Sequence, residues 1–177
     1  MNKIPFGKPI LGKKEKEIVR KVLESGTLVH GPISLEFEKL FKNYTGAKDA
    51  ITVSSCTAGM HLFYFTLGIG KGDEVIIPSY TYAATALAVH HLRAKPVMVD
   101  VENDFNISSK TIRDHITPKT KVIIPVDIAG WPCNYDEIFK LVKEKQDLFN
   151  PSTDIQKTLN RILVLADSAH SIGATYK

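Results

Sequence analysis

From Ala50 onward, short β-branched runs alternate with helical patterns, and this rhythm limits the fold more than any other feature of the chain. The runs are "AITV" (50–53), "EVIIP" (74–78), "KPVMVDV" (95–101), "KVIIPV" (121–126) and "RILVLAD" (161–167), each closed by a turn. Between them, apolar residues recur at helical spacing near 57–67, 82–92, 108–116 and 134–145. Strands joined through helices pair in parallel, and strands that read apolar throughout need cover on both faces. The expected domain is a three-layer α/β/α structure with five strands in a mostly parallel sheet.

Two helices precede this pattern. Residues 13–25 place Ile18, Val19, Val22 and Leu23 on one face and stop at Gly26. After "HGPI", Ser34 is the expected N-cap of a second helix, with Leu35, Phe37, Leu40, Phe41 and Tyr44 on its apolar face and Gly46 at its end. A later segment, "QDLFNPSTDIQKTLN" (146–160), breaks the alternation. It reads as a surface excursion in which Pro151 with Ser152 starts a short helix.

Composition narrows the function classes. With 44% hydrophobic and 24% charged residues in 177, the chain has material for one sizeable core. Its net charge of +4 is spread over stretches such as "GKKEKE" and "LVKEKQ", where acids interrupt the lysines. That is a solvated surface, not a nucleic-acid footprint. Cys56 and Cys133 form no CxxC pair, which fits a reducing compartment and gives neither a metal role. No stretch approaches the ~20 apolar residues of a membrane span, and "MNKIPFGKPILGKK" lacks the apolar centre of a signal peptide. A soluble cytoplasmic protein, binding neither nucleic acid nor membrane, is expected.

In open α/β sheets ligands sit beyond the carboxyl ends of the strands, so the residues just after each run carry the chemistry. After the first run comes "SSCTAGMHLFYF", a tight turn opening a helix near Thr57. Free amides, the helix dipole and the Thr57 hydroxyl suit an anion such as phosphate; alternatively Ser55 or Thr57 only caps the helix. Neither GxxxxGK[ST] nor GxGxxG occurs, which argues against a nucleotide triphosphatase and a dinucleotide fold. The second run leads into "IIPSYTYAATALA", where Tyr80 and Tyr82 offer a flat face for a planar ligand or pack into the core. The last run ends in Asp167, which either caps a turn or accepts a hydrogen bond from a protonated ring nitrogen, with His170 able to reach the same ligand. His61, His90 and His91 lie in helical patterns and read as packing or solvent-facing residues. A phosphate cradle, an aromatic plate and a buried acid at neighbouring strand ends fit pyridoxal phosphate.

These segments also resemble a known family. "SSCTAGMHL", "GKGDEVIIPSYTYAATA", "KPVMVDV" and "ADSAHSIGATYK", with the upstream "HGPISLEFEKLFKNYTGAKDAITVSS", are similar to the DegT/DnrJ/StrS sugar aminotransferases, fold-type-I enzymes that use pyridoxal 5'-phosphate. The resemblance runs from about Pro9 to the last residue. It implies that Thr57 and Ala58 bind the coenzyme phosphate, Tyr82 stacks on the ring, Asp167 pairs with the ring nitrogen and His170 lies near the ring 3-hydroxyl. It further implies transfer of an amino group, usually from glutamate, to a nucleotide-linked keto sugar, in a homodimer with its active site at the subunit interface. Many members carry His where this chain has Asp127, which leaves the role of that position unassigned.

The family's Schiff-base lysine belongs to a segment beyond "GATYK", so no catalytic residue is assigned and Lys177 is not taken as its substitute. That lysine holds the coenzyme covalently and moves a proton, work worth roughly 10²–10⁴-fold in rate for the proton transfer alone. The expectation is an amino-terminal half, inactive by itself, with residues 1–48 as a helical segment and 49–177 as a large domain incomplete at its carboxyl end. A missing carboxyl-terminal half would be its partner. Two further readings stand beside this one: a non-catalytic paralogue that acts by dimerising, and a sugar dehydratase of the same family with histidine in place of the lysine.

Overall fold

The computed structural model describes Gly7 and residues 9–176. The chain divides into two compact units, one up to Thr52 and one from Val53 onward.

The first unit holds α1 (Lys13–Ser25) and α2 (Pro32–Thr45). α1 starts where the Gly12 N–H donates to Glu15 Oε2 at 2.6 Å, and it ends at Gly26, whose φ of +70° suits glycine. α2 starts earlier than the expected Ser34. Gly31 is its N-cap and Pro32 its first residue, because proline has no N–H to leave unpaired and its φ is already helical. The run 50–53 is not a strand. A β-branched run becomes a strand only beside a hydrogen-bonding neighbour; here Glu38 Oε1 takes both the Thr52 N–H (2.7 Å) and its hydroxyl (2.8 Å), and Ile51 is 80% exposed.

In the second unit strand and helix alternate, with four strands among the described residues where five were expected. α3 (Cys56–Thr66), β1 (Glu74–Pro78), α4 (Ala83–His91), β2 (Lys95–Val99), α5 (Ser109–Arg113), β3 (Thr120–Ile123), α6 (Tyr135–Glu144), α7 (Asp154–Leu159) and β4 (Leu163–Val164) follow in order. The sheet order is β2-β1-β3-β4 and every pairing is parallel.

Period-two alternation sends side chains of the same strand into two cores. Val75, Ile77, Val122 and Ile124 pack with Met60, Tyr64, Ala88 and Val89 from α3 and α4. On the other face, Ile76 and Ile123 pack with Ile112, Ile138 and Leu141 from α5 and α6. The central strands β1 and β3 are buried throughout, whereas β2 and β4 are partly open, so cover on both faces holds only for the middle of the sheet.

The 146–160 segment is docked, not a free excursion. Thr153, not Pro151 or Ser152, caps α7, since its hydroxyl accepts the Gln156 N–H. Thr153 Oγ1 and Gln156 Nε2 both donate to Leu67 O at the end of α3 (3.1 and 3.0 Å), and Ser152 Oγ donates to Asp73 Oδ1 at 3.3 Å. Lys121 Nζ donates to Asn150 O, lies 3.7 Å from Asp73 and sits 5.4 Å over the Phe149 ring. Burial pulls the Lys121 ammonium pKa down while Asp73 pushes it back up. All these bonds gather at the amino ends of β1 and β3, away from the carboxyl edge where ligands bind.

Candidate functional site

β1 is followed by β2 on one side of it, and the chain then returns to place β3 on the other. This reversal opens a crevice beyond the carboxyl ends of β1 and β3. A cavity of about 650 Å³ lies there, bounded by Cys56, Thr57 and Met60 of α3, Tyr80–Tyr82 after β1, Ile128 and Ala129 after β3, and Asp167, Ala169 and His170 after β4. Thr57, Tyr82, Asp167 and His170 therefore converge on one space from segments more than a hundred residues apart. Ala58 is not among the lining residues.

α3 presents its amino end to this cavity. Ser55 caps it by accepting the Ala58 N–H at 3.1 Å, so that amide is already engaged. Among the described residues no acceptor takes the N–H groups of Cys56 and Thr57, which a helix start leaves free. The helix start is thus capped at the Ala58 amide and leaves the Cys56 and Thr57 N–H groups facing the cavity's side of the helix end without an acceptor among the described residues.

Asp167 is half-buried, not buried, and its backbone is fixed on both sides. Its N–H donates to Pro125 O at 2.8 Å and its carbonyl accepts the Asp127 N–H at 3.1 Å, within a parallel bridge between Val126 and Asp167. Oδ1 accepts the Ala169 N–H at 3.1 Å and lies 3.8 Å from Cys56 Sγ. Oδ2 has no donor among the described residues and is the oxygen left for a ligand. Burial, and then the neighbouring Asp167 charge, pushes the Cys56 thiol pKa up. Tyr64, wholly buried one turn below Met60, has its phenol pKa raised chiefly by burial, and its hydroxyl has no partner among the described residues.

Tyr82 is 82% exposed and stands free as a plate, while Tyr80 leans on Phe105 with ring centroids 5.2 Å apart. Sequence reasoning missed two buried residues behind this wall. Asn106 accepts the Ile128 N–H at 3.2 Å and donates to Trp131 O at 2.9 Å, tying the loop after β2 to the loop after β3. Asp127 is only 4% exposed and gathers the Cys133 N–H (3.0 Å) and the Tyr135 hydroxyl (2.7 Å) on Oδ1, and the Ser171 hydroxyl (2.8 Å) on Oδ2. The available signal was Asp127 standing where the similar family carries His.

His61 and His91 pack edge to face at 5.4 Å, in keeping with the packing expectation. Among the described residues no cluster of His, Cys, Asp and Glu is built for a metal, and no helix is long and apolar enough to cross a membrane.

A model of the DegT/DnrJ/EryC1/StrS aminotransferase family matches residues 9–177. An uncharacterized protein of Methanocaldococcus jannaschii is 43% identical over 98% of this chain and 42% of its own length. A candidate sugar aminotransferase of Streptococcus pneumoniae, solved in apo, PMP and PLP forms, superposes with a TM-score of 0.95. Its apo form is 42% identical, over 98% of this chain and 44% of that one. A GDP-4-keto-6-deoxymannose-3-dehydratase, solved with a trapped PLP-glutamate geminal diamine, is 26% identical over 99% of this chain and 43% of that one, with a TM-score of 0.82. The chain thus spans less than half the length of the relatives it matches.

Proposed function

Because the chain belongs to the DegT/DnrJ/EryC1/StrS aminotransferase family, we propose that its second unit is the coenzyme-binding part of an enzyme that passes an amino group, from a donor such as glutamate, to a nucleotide-linked keto sugar. The observation that carries this reading is the convergence of an open helix amino end, an exposed aromatic plate and a free carboxylate oxygen on one cavity. That donor set fits pyridoxal 5'-phosphate, and the residues from 49 onward are the portion assigned to hold it. The site as proposed is completed by a second subunit in a homodimer, and two free thiols, one of them buried, suit a reducing cytoplasm.

When bound, the coenzyme supplies an electron sink for negative charge on the carbon beside the substrate nitrogen. The Cys56 and Thr57 amides and the Thr57 hydroxyl bind its phosphate, with Ala58 supporting the helix end through Ser55. Asp167 Oδ2 accepts a hydrogen bond from the ring nitrogen and keeps its proton there. Tyr82 covers one ring face and excludes water from it, and His170 reaches the oxygen on the ring. Among the described residues none that lines the cavity is a lysine, so these groups bind and orient without supplying the amine that carries the proton. On this reading the residues present are inactive by themselves.

Equilibrium binding of pyridoxal phosphate tests the proposal. Hydrogen bonds to charged groups are worth about 1.5–3 kcal/mol, so Asp167→Ala and Thr57→Ala should each weaken binding roughly ten- to hundredfold. Variants that bind as tightly as the parent would remove the site. The similarity to a dehydratase favours a second reading, loss of water from the same substrate class. Amine incorporation into a nucleotide-linked keto sugar, as against its deoxygenation, separates the two.

A further inference from the structure

The loops after β3 and β4 are clasped together by one carboxylate. Asp127 Oδ1 takes the Cys133 N–H and the Tyr135 hydroxyl, while Oδ2 takes the Ser171 hydroxyl at 2.8 Å and the Ser168 hydroxyl at 3.5 Å. Ser168 and Ser171 bracket Ala169 and His170, so a buried acid holds both ends of the segment that carries the imidazole into the cavity.

The facing loop is strained where it meets that imidazole. Ala129 has φ +53° and ψ 21°, a left-handed conformation that disfavours a residue with a Cβ by about 1–2 kcal/mol. In this conformation its N–H points at His170 Nδ1, 3.3 Å away. Gly130 follows with φ +85°, and a Cβ there would stand 3.0 Å from His170 O, so a side chain at this position would crowd the His170 carbonyl. Strain of this kind persists only where the surroundings impose it, and it concentrates at functional sites.

A backbone N–H can only donate, so Nδ1 must accept and the proton of the neutral imidazole must sit on Nε2. We propose that Asp127 and the left-handed Ala129 are positioning residues that lock His170 as its Nε2–H tautomer, making it a one-way donor to an oxygen of the ligand. Only the identity of that oxygen, the one on the coenzyme ring, rests on the proposed function. The lock itself rests on the bonds that Asp127 and Ala129 make within the chain.

Nitrogen-15 NMR of the 177-residue chain without coenzyme, at about pH 8, tests it. The expected spectrum has a protonated Nε2, an acceptor-type Nδ1 and a scalar coupling across the Ala129 N–H···Nδ1 bond. A proton on Nδ1, or the absence of that coupling, overturns the proposal. Asp127→Ala should abolish the coupling and shift the Nδ1 resonance toward that of a free imidazole. Asp127→Asn should keep it, since the amide oxygen still accepts from Cys133 and Tyr135 and the amide nitrogen can donate to the serine oxygens. Should Asp127→Ala unfold, Ser171→Ala loosens the same clasp and should weaken the coupling. A coupling unchanged in a folded Asp127→Ala or Ser171→Ala chain overturns the positioning role. Failure to bind pyridoxal phosphate would remove the coenzyme reading and leave the tautomer result standing.

Discussion

Glu38 illustrates how a single side chain sets a measurable property. Its Oε1 accepts the Thr52 N–H and hydroxyl and lies 3.1 Å from His30 Nε2, and these bonds, the Thr52 amide first, hold the carboxyl near pH 2 instead of the usual 4.5. A carboxyl whose folded value lies below its unfolded one stabilises fully above the unfolded value and loses that contribution as pH falls through the folded one. Carbon-13 titration should therefore find the Glu38 midpoint near 2, and Glu38→Gln should flatten the pH dependence of stability between 4.5 and 2. The cysteines give a second test. Burial first, and then nearby Asp127, pushes the Cys133 thiol to about 12, while the exposed Cys56 is raised less and lines the cavity. A disulfide reagent should label Cys56 alone in the folded protein, faster as pH rises, and Cys133 only after unfolding. Equal labelling rates would contradict this burial pattern. Asp127 marks what the sequence could not show. Its difference from the similar family was visible, but four donors from positions 133 to 171 meeting on one carboxylate is a tertiary fact.

Strands and helices were legible to the degree that their own residues decide them. β1 and β3 are buried on both faces, and their unbroken apolar runs said so; Ile76→Ala or Ile123→Ala should cost about 2–5 kcal/mol in urea denaturation. The run 50–53 has equal β propensity but pairs with no strand among the described residues, which no local pattern reports. The start of α2 turned on a choice between Ser34 as cap and Pro32 as first residue, and proline's fixed φ decided it. The 146–160 segment was least legible, because its anchors Leu67 and Asp73 lie some eighty residues upstream. Gln156, 3% exposed, satisfies Leu67 O and accepts from the Ser152 N–H. Gln156→Ala should then cost about 1–3 kcal/mol, read as a lower urea midpoint at unchanged slope.

The parallel order β2-β1-β3-β4 brings loops from along the second unit to one sheet edge. The alternation of strand and helix pointed to Tyr82, Asp167 and His170 at that edge, whereas Thr57 reaches the cavity from the start of α3, with no strand before it among the described residues; all four line the cavity. Ala58, assigned through the family resemblance, does not line the cavity, and its amide donates to Ser55 Oγ. If the convergence is a built coenzyme site, pyridoxal phosphate added to the 177-residue chain should be held in one fixed orientation. Circular dichroism in the coenzyme's absorption band should then show an induced signal that is lost in Asp167→Ala. No induced band in the folded parent, or the same band in Asp167→Ala, would contradict the assignment of this cavity to the coenzyme.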